Sequence, residues 1–176
     1  MSVPGAGWWR RNAVALVALA VLVPASWLAL DTIEFGTTRN PQQAVDAGTS
    51  TTVDGARFGP ARLQPLDDDG LDVPAGAQPV LVTVPVAHPV ETTSCQGATI
   101  TEVATGRTWR VASLVLGWTP GAGQQETCRS ETGAAVDLAA PFLLNADASG
   151  PFVVTMSVMR DGTVVDLRFD VDLTGG

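Results

Sequence analysis

The stretch FVVTMSVMRDGTVVDLRFDV, Phe152 to Val171, decides the fold. Phe152, Val154, Met156 and Val158 recur at period two, and so do Val165, Leu167, Phe169 and Val171. Successive strand side chains point to opposite faces, so each set makes one apolar face. Asp161-Gly162 stands between them, a dipeptide that tolerates the positive φ of a tight hairpin turn. Asp166, Arg168, Asp170 and Asp172 fall on the opposite face, which must be wet. One dry and one wet face per strand predicts two sheets packed against each other.

The same reading extends upstream. Val80, Val82, Val84 and Val86 alternate with Leu81, Thr83, Pro85 and Ala87, predicting a strand with one buried face. Pro85 has no N–H for a ladder, which predicts an edge or unpaired position there. Thr51–Val53 and Ala56–Phe58 flank Asp54-Gly55 as a small hairpin, with Arg62–Leu66 continuing its edge. Ala98–Val103 and Thr108–Ala112 flank the turn Ala104–Arg107, and Phe142–Leu144 is expected as a short strand preceded by Pro141. No segment after Leu30 shows a capped helical period, and no internal repeat is seen. The fold class is all-β: an antiparallel β-sandwich over residues 51–176.

Before that body lies Arg10-Arg11, then the uncharged run from Ala13 to Leu30. At 1.5 Å per residue it spans roughly 27 Å, close to the hydrocarbon thickness of a bilayer. Arginines before the run, with Asp31 and Glu34 after it, predict that the N-terminus stays inside. Trp8, Trp9 and Trp27 stand near its boundaries, where indoles favour the headgroup layer. The expected organisation is a short cytoplasmic segment (1–11), a single transmembrane signal-anchor helix (12–30), a linker (31–50) and an extracytoplasmic domain (51–176). The alternative is a cleaved secretory signal ending near Ala25, opposed by the apolar Trp27-Leu28-Ala29-Leu30 it would leave exposed. Both alternatives export the rest of the chain.

All ten basic residues are arginine. Eight arginines and all 18 acidic residues follow Leu30, so the exported part carries a formal charge of −10. That sign repels phosphate backbones and argues against nucleic-acid binding. Cys95 and Cys128 are the two cysteines, an even pair in a compartment where disulfides persist. A redox or metal-binding role is the alternative, disfavoured by the long spacing and by a single histidine, His88, elsewhere.

With the strands placed, residues from about Thr51 to Leu173 resemble the small immunoglobulin-like β-sandwich domains of lipoproteins and membrane-anchored proteins from Gram-positive bacteria. The resemblance is carried by Thr-Val-Asp-Gly at 52–55, Val-Pro-Ala-Gly at 73–76, Cys95, Gly106-Arg107-Thr108-Trp109 and Leu167-Arg168-Phe169. It implies an accessory or adhesive role with a protein partner at the cell envelope, and names no ligand. The cysteine spacing departs from antibody-type domains, whose bridge closes a longer loop.

Catalytic parts are few. The chain has no lysine, no tyrosine and no G-x-S-x-G elbow, so a hydrolase would have to use His88. We expect a non-catalytic protein without cofactor or metal. Asp67-Asp68-Asp69-Gly70-Leu71-Asp72 could hold calcium in a calcium-stabilised adhesive module, but its frame is not that of an EF-hand and a solvated acidic turn is the simpler reading. Trp118, in the loop Trp118–Gln125, is the candidate partner-binding residue, the alternative being that it folds back onto the sandwich end. Trp109, on a strand, is expected in the core.

Overall fold

The computed structural model describes residues 12–13, 17–23, 40–89, 93–129, 133–160 and 162–173. The chain divides into two units, Met1–Arg39 and Asn40–Gly176. In the first, 12–13 and 17–23 are helical, and Val17, Leu19, Val21, Leu22 and Val23 are all exposed. Among the described residues no helix is long and apolar enough to cross a membrane. Most of the expected transmembrane flanks, including Trp8, Trp9, Arg10, Arg11 and Trp27, lie outside the described residues.

The second unit is built from strands β1 (Gln42–Val45), β2 (Thr51–Val53), β3 (Ala56–Phe58), β4 (Arg62–Pro65), β5 (Ala77–Ala87), β6 (Ser94–Glu102), β7 (Thr108–Arg110), β8 (Gln124–Gln125), β9 (Val136–Asn145), β10 (Phe152–Arg160) and β11 (Thr163–Val171). One sheet has the order β1-β11-β10-β6-β7; the other runs β2-β3-β5-β9-β8, with β4 also paired to β5. The two sheets enclose a single apolar cluster. Its members include the four β5 valines, Phe152, Val154, Met156 and Val158 of β10, and Leu167, Phe169 and Val171 of β11. The expected sandwich is therefore present. Met156 pairs with Leu167 and Val154 with Phe169, the register that the alternating pattern requires.

Several expectations need correction. The sandwich is not wholly antiparallel, because β1 pairs in parallel with β11 and β8 in parallel with β9. Both are short edge strands, which limits the exposed edge available for stray pairing. The folded unit also begins earlier than Thr51: Gln42–Val45 is laddered to Asp166–Phe169, so the linker cannot extend to Ser50. Phe142–Leu144 is the end of a ten-residue strand running through Pro141. Pro141 is tolerated because its carbonyl, accepting from Ala112 N–H at 2.8 Å, points to the outer side of β9, away from the β5 ladder.

Pro85 sits in a central strand rather than an edge, flanked by β9 and by the β3–β4 segment. Its carbonyl accepts from Gly59 N–H at 2.9 Å. Strand N–H and C=O groups of one residue point to the same neighbour, so the missing donor faces the break between β3 and β4. Gly59 makes that break possible. It adopts φ +92°, and a Cβ there would lie 3.0 Å from the Thr49 carbonyl and 3.1 Å from the Phe169 ring. Asp54 and Gly55 both take positive φ in the β2–β3 turn, as that hairpin demands.

The end of the sandwich near the β6–β7 turn is fastened by an ionic cluster. Glu102, 2% exposed, accepts from Thr105 Oγ1, from Ser149 N–H at 3.0 Å, and from Arg107 Nε and Nη2 at 3.0 and 2.9 Å. Arg107 reaches Asp147 at 2.8 Å and lies 5.6 Å from the Trp109 ring centre. Trp109 is half-buried rather than fully interior: its Nε1 donates to Asn145 at 3.0 Å while its ring meets Phe152 edge-on. Donors from Thr105, then Ser149 and Arg107, hold the Glu102 carboxyl at about 2, below its ordinary 4.5. A depressed carboxyl stabilises the fold fully above its unfolded value and loses that contribution as pH falls through the folded one. Thermal scans should show Tm falling from about pH 5 towards pH 2, with Glu102→Gln lowering Tm at neutral pH and flattening the acid slope. Parallel slopes for the two proteins would contradict the assignment.

Candidate functional site on the open side of the sandwich

The site is generated by how the chain leaves one sheet for the other. After β7, Val111 bridges to Phe142 and Ala112 donates to Pro141, both on the outer edge of β9. Residues Ser113–Leu116 then form one helical turn against β9, closed by Gly117 in the left-handed conformation at φ +62°. Ala112 and Leu116 are buried, as are Leu81 and Ala139, and none of the four belongs to the inter-sheet cluster. Leu81 and Ala139 alternate with inward residues of β5 and β9, so the turn covers an outer patch of that sheet.

Docking through Leu116 turns the other face of the segment outward. Leu114 is 98% exposed, Val115 61% and Val111 40%. Trp118, the residue singled out from sequence, is half-buried at the end of the same turn, its N–H donating to the Ser113 carbonyl at 3.0 Å. Of the apolar residues here only Leu114, Val115 and Leu116 lie within the helical turn; Val111 precedes it in a bridge and Trp118 follows the left-handed Gly117. Sequence reasoning missed Leu114 and Val115 because the helical segment is a single turn, too short to show a period.

Beside this face lies a cleft of about 90 Å³. β8 holds the β9 edge at Asp137–Leu138 and Val111 holds it at Phe142. Between them Leu138, Ala139 and Ala140 line the opening, with Ala98 and Met156 opposite and Glu126 also at the lining. Cys95, in the same lining, is bonded to Cys128 with Cα atoms 5.4 Å apart. The bridge ties β6 to the segment between β8 and β9, and both cysteines are buried. The expected pairing is thus the one found.

On the other flank of the turn stands the acidic loop. Asp72 N–H donates to the Leu116 carbonyl at 3.3 Å, and Leu71 N–H to Asp68 at 3.0 Å. The carboxylates of Asp67, Asp68 and Asp69 lie within 4.8 Å of one another, all exposed. No ion pair recorded among the described residues involves Asp67, Asp68, Asp69 or Asp72. His88 is exposed at φ +55° beyond the end of β5.

The disulfide closes a loop of 33 residues in sequence separation, for which chain-entropy arithmetic gives roughly 3–4 kcal/mol. Replacing both cysteines with alanine should lower the unfolding free energy by about that amount in denaturant titration. A double variant as stable as the parent would show that the bridge adds nothing.

No family model, curated protein or solved structure matches the chain.

Proposed function

We propose that the chain is a single-pass, N-in membrane protein whose sandwich lies outside the cytoplasm and acts as a non-catalytic binding or accessory module. The observation that carries the binding role is the exposed Leu114–Val115 face on a turn fixed to the sandwich by buried Leu116. Contiguous apolar surface held on a rigid body marks an interaction site more often than a lone exposed side chain does. The Cys95–Cys128 bridge supports an oxidising compartment. The uncharged run from Ala13 to Leu30, with arginines before it and acidic residues after it, supports the membrane anchor.

The strand orders favour an immunoglobulin-like reading. An immunoglobulin domain places A-B-E-D in one sheet and G-F-C in the other. Here β5 and β9 occupy the central B and E places, while β11-β10-β6-β7 follow G-F-C with an added edge strand. The parallel β8–β9 pair and the position of the disulfide set this chain apart from antibody domains.

Two measurements test the proposal. Protease added to intact cells should remove a tag placed after Gly176, and survival of that tag while known surface proteins are digested would reverse the orientation. The chain has no lysine, so carbodiimide coupling on isolated membranes joins its carboxylates to amines of a neighbour. One reproducible adduct, heavier than the 18.2 kDa chain by the mass of one envelope protein, is expected. Recovery of the uncoupled chain alone, across a range of coupling times, would contradict a binding role.

A further inference from the structure

The exposed turn and the acidic loop are neighbours, joined where Asp72 N–H donates to the Leu116 carbonyl. The turn carries exposed Leu114 and Val115, and the loop carries four exposed carboxylates, Asp67, Asp68, Asp69 and Asp72, none of them in an ion pair recorded among the described residues. Their mutual repulsion and the uncovered apolar area are both relieved by one kind of occupant, a segment carrying cations beside apolar side chains.

We propose that this surface docks a basic amphipathic segment of a partner protein, with Leu114 and Val115 meeting its apolar side and the Asp67–Asp72 carboxylates meeting its lysines or arginines. The proposal rests on the binding role above and supplies the chemistry of the partner. A second copy of the chain is a poor occupant. A two-fold contact on this patch would bring aspartates against aspartates, in an exported region whose net charge is already −10. The nearby cleft between Ala98 and Ala140 gives an apolar side chain of the partner a place beside Val111.

The test uses the full chain in a neutral maltoside detergent, with micelles alone as the blank. Three dye-labelled peptides of equal length are titrated by fluorescence anisotropy: Lys/Leu with helical apolar spacing, Lys/Gln of the same charge, and Glu/Leu of the same apolar pattern. The Lys/Leu peptide should bind about tenfold or more tightly than either control, with affinity falling as salt rises. The double variant Leu114→Asn with Val115→Asn, and the quadruple variant placing Asn at 67, 68, 69 and 72, should each lose about tenfold. All these positions are exposed, and circular dichroism together with an intact disulfide verifies that the variants are folded. Equal binding of the Lys/Gln peptide, or no loss in either variant, overturns the proposal. Loss of binding on adding EDTA assigns the carboxylates to a cation instead and also overturns it. Self-association that disappears with the Leu114 variant does the same in favour of a second copy. Failure of the Lys/Leu peptide alongside a persistent carbodiimide adduct leaves the binding module standing and removes only this surface.

Discussion

Burial of alternating side chains between two sheets is the constraint on which everything else in the sandwich depends. The β5 valines from one sheet meet the β10 and β11 side chains of the other in one cluster. A one-residue slip in any of these strands would exchange its apolar face for its polar one. That requirement fixes the register of the central pairs, β5 with β9 and β10 with both β6 and β11. It also explains how two prolines survive in a central strand. Pro79 and Pro85 both point their carbonyls towards the β3–β4 side, where they accept from Leu66 and Gly59 at the two ends of β4. The missing donors thus fall where the neighbouring chain breaks, and the β9 ladder is untouched.

The surface features follow from how the sheets end. Filling the outer edge of β9 with two short pieces, β8 and the Val111 bridge, leaves Ala139 and Ala140 at the floor of a small cleft. Carrying the chain from β7 across this edge requires a connection, and burying Leu116 beneath it turns Leu114 and Val115 to solvent. The disulfide holds the far side of the same region, between β6 and the approach to β9. At the β6–β7 turn, Glu102 and Arg107 do by charge-assisted hydrogen bonding what the disulfide does covalently, joining that turn to Asp147 and Ser149 beyond β9.

Legibility from sequence tracked how purely each strand alternates. β5, β10 and β11 each have one clean apolar face, so alternation alone marks them as strands, and Asp161-Gly162 marks β10 and β11 as partners. β9 was underestimated because Leu138, Ala139, Ala140 and Pro141 are buried in succession, which erases the period-two signal. β1 and β8 were invisible for the opposite reason: Gln42, Gln43, Gln124 and Gln125 contribute backbone pairing with little apolar burial. Glu102 carries no period or motif of its own, and its place across the turn from Arg107 is the one sequence sign of the ion pair. Trp118, singled out from sequence, lies half-buried at the end of the exposed turn, whereas Leu114 and Val115 carried no readable signal. A one-turn helix is shorter than the window in which helical period can be counted.

The two sheets share one core and so should open as one cooperative unit. Native-state hydrogen exchange on the full chain tests it most directly, since amides released by a single global opening share one free energy. Amides of β5, β9 and β10 should exchange last and together, with β1, β7 and β8 far faster. If the β5–β9 amides open at one free energy and the β10–β11 amides at a distinctly lower one, the sheets are separate units and the account of their shared interior fails.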